Sequence, residues 1–426
     1  MTHRVAGPPA RYRRRMADLP PPTPGTPAAP MRFGVFMAPF HPLPSNPTLA
    51  LQQDLQVATH LDALGFDELW VGEHHSGGLE TIASPEVFLA VAAERTTRIR
   101  LGTGVSSLPY HHPFILLDRM VLLDHLTRGR VMFGCGPGQL PFDAHVLGIN
   151  PDDQRRMMEE SLDVIMALQR STEPVTVKTD WFTIQDAVLQ LRPYSNPHIE
   201  MAVAGSFSPA GPRLAGKHGI GLLSISATSP EGFERLASHW EVATTEADRH
   251  GQTVSRRDWR LLGPMFLADT EAEARAALRF GYEQISDYLT HVMPVPRPPA
   301  MSLDERIDAA NASGAVVIGT ADRAVEQVRR LVEQSGGFGT FLCNGGYWAD
   351  TEATMRSYQI FAEQVMPHFN GQLAAPTRSY DWTMGDDKDW DGQARRAVAK
   401  AMQDYAKENP DYVAKAPATP SAPTGL

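Results

Sequence analysis

From Arg32 onward the chain alternates between short apolar runs and longer amphipathic segments, and this rhythm limits the fold more than any other feature. The runs are Arg32–Ala38, Asp67–Gly72, Ile99–Thr103, Val131–Cys135, Glu200–Ala204, Ile220–Ser224, Leu261–Ala268 and Thr340–Asn344. After the first, Leu51, Leu55, Ala58, Leu61 and Leu64 recur at three- and four-residue intervals, the spacing of one helix face. Gly65 ends that helix. Further helices are expected at Ser84–Arg95, with Ser84 as N-cap and Pro85 in the first turn, at His112–Thr127, and at Pro151–Gln169, with Asp152 and Asp153 favourable in its first turn. Others follow at Pro209–Lys217, Glu231–His250, Glu271–Tyr288, Ala321–Gln334 and Thr351–His368. Residues 174–198 read as an inserted hairpin, and 291–313 as an irregular insertion or lid. Strands alternating with helices pair in parallel, and eight such units close most naturally into a (β/α)8 TIM barrel of the α/β class. An open doubly wound sheet is the runner-up. In a barrel the chemistry gathers at the C-terminal ends of the strands.

The ends of the chain differ from this middle. Residues 1–30 hold Arg4, Arg11, Arg13, Arg14 and Arg15, then a proline cluster. Proline at that density supports neither helix nor ladder, so a disordered or polyproline-like arm is expected. Residues 371–426 form an acidic and aromatic extension with a short helix near Gln393–Lys407, lying across the body or a neighbouring subunit. The barrel is thus assigned to residues 31–370. Of the 426 residues 42% are hydrophobic, enough for a large core, and the net charge of −10 disfavours a broad nucleic-acid surface. Two cysteines, Cys135 and Cys343, exclude a disulfide framework or a cysteine-ligated metal. No apolar run approaches a membrane span, and a cytoplasmic location is expected.

Several strand ends carry chemistry. Glu73-His74-His75 follows the second strand: one carboxylate and two imidazoles, of which neighbouring histidines cannot easily share a face. One of them is either a base or donor near neutral pH, or a buried structural histidine. As a metal site the tripeptide is poor. After the third strand, Gly102-Thr103-Gly104-Val105-Ser106-Ser107 is either a tight turn or a close backbone approach to a flat ligand. Gly134-Cys135-Gly136-Pro137-Gly138 is glycine-rich but lacks a nucleotide fingerprint. Gly205-Ser206-Phe207-Ser208, just ahead of a helix, is the best anion cradle in the chain, and Ser224 adds a hydroxyl after the sixth strand. Cys135 reads as a small buried hydrophobe. His112 reads as a helix-positioning residue near the mouth, and Trp348 as either a pocket wall or loop packing.

Taken in order, Met31–Ala38, Glu73-His74-His75, Leu101–Pro109, Leu122–Gly134 and Gln364-Val365-Met366-Pro367 resemble the bacterial luciferase superfamily of flavin-dependent monooxygenases. MRFGVFMAPFHP, EHHSGG, IASPEVF, LGTGVSSLPYHHPF and RMVLLDHLTRGRV are similar to its limonene-monooxygenase-like branch. The resemblance covers about Met31 to Phe369. It implies a barrel with FMN at its C-terminal mouth, reduced by a separate NAD(P)H:flavin reductase. Reaction with O2 would give a flavin hydroperoxide that oxygenates a hydrophobic small molecule, terpene- or polyketide-like. A homodimer is implied as well.

Residue by residue, His74 matches the family histidine thought to support the oxygenated flavin, with Glu73 beside it as the second catalytic candidate. Phe36 matches a residue beside the flavin ring, Gly104 and Val105 the place of a non-prolyl cis peptide, and Ser206 a phosphate contact. Ser106, Gly136, Gly205, Phe207 and Ser224 complete the expected cofactor set; His75, His112 and Trp348 are assigned to the substrate pocket. Luciferase has an acidic residue and a threonine where this chain has Gly205 and Pro209. It has Cys-Arg-Gly where this chain has Gly136-Pro137-Gly138. The phosphate arginine is thus missing from that loop, leaving FMN more weakly held, or held by Arg213 or Lys217, and making light emission improbable. A deazaflavin-dependent hydride-transfer enzyme and a non-catalytic flavin-binding protein are the alternatives on the same scaffold.

Overall fold

The computed structural model describes residues 30–292, 301–344 and 346–411. Eight parallel strands close on themselves: β1 (Arg32–Met37), β2 (Glu68–Val71), β3 (Arg100–Thr103), β4 (Val131–Gly136), β5 (Glu200–Gly205), β6 (Gly221–Ser224), β7 (Trp259–Leu267) and β8 (Thr340–Asn344). Each pairs with the next, and β8 returns to β1 with Arg32 opposite Thr340 and Phe36 opposite Asn344. The closure removes the open-sheet alternative. Residues up to Asn370 form one compact unit; those from Gly371 form another, whose described part holds the helices Ala374–Thr383 and Trp390–Glu408.

Around the barrel the helices follow the expected periodicity. Pro47–Leu64 buries Ala50, Leu55, Ala58 and Leu61 and stops at Gly65, which takes the left-handed conformation that glycine tolerates. The helix after β2 begins at Pro85, and Ser84 makes no side-chain cap bond. The helix Gln154–Arg170 starts later than expected, leaving Asp152 and Asp153 outside it. Residues 175–187 do form an antiparallel hairpin. The expected single helix Glu271–Tyr288 is instead two, Glu271–Leu278 and Tyr282–Val292. The reason is Gly281, whose missing side chain lets the chain pack directly on the Tyr347 carbonyl.

The stretch expected to be an irregular lid is partly helical. Leu303–Ser313 is a helix opened by a reciprocal capping box between Ser302 and Glu305, a signature present in the sequence as Ser-Leu-Asp-Glu. Residues 293–300 of that stretch, the arm 1–29 and the tail 412–426 lie outside the described residues. An added strand, Val317–Gly319, pairs with the far end of β7.

Alternate residues of the strands fill the barrel. Phe36, Trp70, Met132, Ala202, Leu223, Leu262 and Leu342 form its central column. Gly102 is the complement of Trp70: a Cβ there would stand 2.6 Å from the indole. At the N-terminal end the fully buried Arg260 lies between Glu68 (Nε–Oε2 2.7 Å) and Glu200, with its guanidinium 5.0 Å from the Trp70 ring. Arg100 closes on Glu200 at 2.6 Å. Burial works against ionised Glu200, yet the charges of Arg260 and Arg100 bring its pKa down to about 2. This end is a charge-balanced plug, and the apolar column leads away from it to the opposite mouth. No helix among the described residues is long and apolar enough to cross a membrane.

Candidate active site at the C-terminal mouth

Past Val71 the chain leaves β2, and the three residues after Gly72 turn to different partners. Glu73 is fully buried with both oxygens engaged. Its Oε1 meets His75 Nε2 at 2.8 Å and His111 Nε2 at 2.7 Å, and its Oε2 accepts the Ser107 N–H at 2.8 Å. Burial opposes the charge, but these three partners outweigh it and hold the carboxyl below the usual glutamate range. His75 is shifted upward, mainly by its bond to Glu73. Glu73 therefore ties the loop after β2 to the loop after β3, and its oxygens are turned to protein groups.

His74 stands between two other carboxylates. Its Nδ1 lies 3.0 Å from Asp143 Oδ2 and its Nε2 lies 3.2 Å from Glu80 Oε2. Asp143 also accepts from the His75 backbone N–H and from Ser76 Oγ. Burial disfavours the imidazolium, but the Asp143 bond and the charges of Glu80 and Asp143 prevail and raise the pKa of His74. Asp143 comes from the short helix Pro141–Val146 after β4, which begins on a proline. Glu80 returns to the site because Gly77 and Gly78 both adopt positive φ and reverse the loop.

The loop after β3 runs beside these clusters. The peptide joining Gly104 to Val105 is cis. Phe36 packs against Gly104, where a Cβ would stand 2.9 Å from its ring, and Val105 packs into the space left by Gly136. Ser106 is fully buried and its Oγ has no partner among the described residues. At the end of β5, Gly205 is buried, Ser206 half-buried and Phe207 exposed, immediately before the helix Ala210–His218.

The other expected residues have these surroundings. Ser224 turns away from the barrel interior and its Oγ accepts the Trp259 indole N–H at 3.0 Å. His112 is the exposed residue preceding Pro113–Thr127, with Nε2 3.4 Å from the Thr183 carbonyl of the hairpin; His111 is the neighbour that joins Glu73. Trp348 sits in a second apolar cluster with Phe40, Phe266 and Leu278, edge-on to Tyr282. Arg213 and Lys217 are engaged by carboxylates of the helix Gln154–Arg170: Arg213 pairs with Glu159, and Lys217 with Glu159 at 3.0 Å and Asp163 at 2.7 Å. Cys135 is free and buried, and burial pushes its thiol pKa up.

Sequence reasoning missed His111, Glu80, Asp143, Tyr110 and Gln154. Tyr110 lies edge-on to His75, and Gln154 donates to both Tyr110 OH and the Pro137 carbonyl, pinning the loop after β4. Only the Gly-Gly turn ahead of Glu80 and the Pro141 helix start gave a local signal; the pairings themselves span up to 69 residues.

Comparison with known proteins gives a family and a fold. The model of the luciferase-like monooxygenase family matches residues 31–337. The chain is 52% identical over 376 residues to limonene 1,2-monooxygenase from Rhodococcus erythropolis, covering 88% of this chain and 96% of that one. It is 45% identical over 375 residues to 4-hydroxyprotoasukamycin monooxygenase from Streptomyces nodosus subsp. asukaensis, covering 86% and 99%. Among solved structures, the oxygenating constituent of 3,6-diketocamphane monooxygenase from Pseudomonas putida, a complex with FMN, superposes with a TM-score of 0.63. Its identity is 24% and the coverage 79% of this chain and 98% of that one, a likeness of fold.

Proposed function

Because the chain belongs to the luciferase-like monooxygenase family, we propose that it is a cytoplasmic, two-component FMN-dependent monooxygenase. It takes reduced FMN from a separate NAD(P)H:flavin reductase and O2 as cosubstrate, and oxygenates a hydrophobic small molecule of terpene or polyketide type. The two most similar relatives described above, named for limonene and a protoasukamycin, support that substrate class.

The observation that carries the reading is the apolar column ending at Phe36 and Val105, with the Glu73 and His74 clusters at its rim. The residues present fit a flavin. Ser106 offers a buried hydroxyl without a partner among the described residues, and an unpaired buried polar group is costly unless a ligand satisfies it. Phe36, Gly104, Val105 and Gly136 would hold the ring, and Gly205, Ser206 and Phe207 the phosphate, through neutral donors at a helix start. Bound reduced FMN supplies the two electrons that activate O2. The chain's own part is to keep water from the ring with its apolar floor, to fix the loop after β3 through Glu73, and to hold a proton at His74.

A homodimer is part of the proposal. Val87, Val91, Ile115, Leu122 and Leu126 are exposed on two adjacent barrel helices, Pro85–Arg95 and Pro113–Thr127. Such an apolar face suits a subunit interface.

The test is anaerobic titration with reduced FMN, then stopped-flow mixing with O2. Saturable binding and a transient spectrally distinct from reduced and oxidised flavin are expected. Reoxidation no different from free flavin would reject the monooxygenase reading, and deazaflavin binding would then be measured.

A further inference from the structure

His74 has no nitrogen left for a substrate in the arrangement observed. Asp143 Oδ2 lies 3.0 Å from Nδ1 and Glu80 Oε2 lies 3.2 Å from Nε2. The two carboxylates are not equivalent. Asp143 accepts two further hydrogen bonds, from the His75 backbone and the Ser76 hydroxyl, and these fit an ionised acceptor. Glu80 is buried, and the other groups around it are acidic or phenolic: Asp143 from Pro141–Val146, and Tyr288 from Tyr282–Val292. Glu73 from the same loop adds a further negative charge acting on His74, while Tyr110 from the segment after β3 and His75 act on Asp143.

We propose that Glu80 is a positioning residue that shares one proton with His74, so that the row Asp143–His74–Glu80 delivers its proton as a unit. With Nδ1–H directed to Asp143, the second proton rests on His74 Nε2 or on Glu80 Oε2. The row carries one net negative charge in either case, so moving that proton between the two atoms leaves the net charge of the buried site unchanged. When the row gives it to a basic oxygen at the mouth, neutral His74 remains with its Nδ1–H on Asp143, beside an ionised Glu80. The upward shifts of His74, where hydrogen bonding and nearby carboxylates overcome burial, and of Glu80, where burial dominates, agree with this arrangement. The role in delivery rests on the function proposed above; the shared proton does not.

The experiment is an NMR pH titration of the ligand-free protein labelled with 15N-histidine, with His74→Gln to assign the signal. In the native chain His74 is expected to bind its second proton more tightly than an ordinary histidine. Glu80→Gln keeps the shape and removes the shared carboxyl, and should weaken that binding at least tenfold, about one pH unit in the midpoint. If that variant does not fold, Glu80→Asp, which withdraws the carboxylate by one methylene, must still weaken it about threefold. An unchanged His74 midpoint in the folded variant overturns the proposal. Flavin and oxygen play no part in this measurement, so its failure is separable from failure of the monooxygenase reading. A matching shift in the pH profile of flavin oxidation in Glu80→Gln would tie the row to delivery; an unshifted profile would reject that role.

Discussion

His111 Nε2 lies 2.7 Å from Glu73 Oε1, the same oxygen that holds His75 Nε2. One buried carboxylate thus joins a residue from the loop after β3 to the loop after β2. Glu73→Gln should break this clamp, leave buried polar groups unpaired, and cost about 2–4 kcal/mol in chemical denaturation at neutral pH. If it leaves stability unchanged, Glu73 is not the tie described here.

The same clamp sets a pH dependence. His75 binds its proton more tightly when folded than its ordinary value of 6.5, chiefly through Glu73. Its contribution is therefore full below about 6.5 and is lost as pH rises through the higher folded value. Glu73 is shifted the other way, below 4.5, so its contribution is present above that value and lost as pH falls through the folded one. The difference in melting temperature between the native chain and Glu73→Gln should narrow as pH rises through the folded value of His75, close in acid as Glu73 is protonated, and be largest between.

At the opposite end of the barrel, Arg260→Met should leave buried Glu68 to Arg32 alone and Glu200 to Arg100 alone, and cost about 3–5 kcal/mol. Adding Glu68→Gln should cost less than the sum of the single changes, because the two residues share one interaction. Additive losses in urea denaturation would show that the pair is not coupled.

Gly136→Ala would drive a methyl group into the space that Val105 occupies. FMN affinity is expected to fall about tenfold, and Val105→Ala in the same chain to restore most of it. Equal affinity for the single variant and the native chain, by fluorescence titration, would remove Val105 from the flavin floor.

Ser106→Ala separates a ligand contact from a structural one. The hydroxyl has no partner among the described residues, so the ligand-free protein should lose no stability, and is expected to gain up to about 1 kcal/mol. FMN binding should weaken about five- to tenfold. A destabilised ligand-free protein with unchanged flavin affinity would reverse the assignment.

The alternation of apolar runs and helical faces was enough to place all eight barrel strands, because strand and helix periodicities are local and each run lies wholly within the chain's own neighbourhood. The turn at Gly65 and the hairpin after residue 174 were legible for the same reason. The break at Gly281 was not, since it depends on the Tyr347 carbonyl more than sixty residues away in sequence. The helix Leu303–Ser313 carries its capping box in the local sequence, but the prolines just before it mask the helical pattern.

At the site, residue types were readable and their partners were not. Glu73, His74 and His75 marked the end of β2 as chemical, but a tripeptide cannot say which carboxylate each imidazole meets. His111 and His112 are adjacent and alike in sequence. Backbone direction at the start of Pro113–Thr127 sends one inward to Glu73 and leaves the other exposed beside the hairpin. Ser224 looked like a ligand hydroxyl until the inward position of Leu223 turned it toward Trp259. Nothing local to Arg213 and Lys217 reveals that the facing helix Gln154–Arg170 pairs with both. Local pattern therefore determined the barrel and the strand ends where chemistry collects. Barrel closure alone decided which charges meet, because hydrogen bonds and ion pairs act over about 3 Å between loops that the sequence holds far apart.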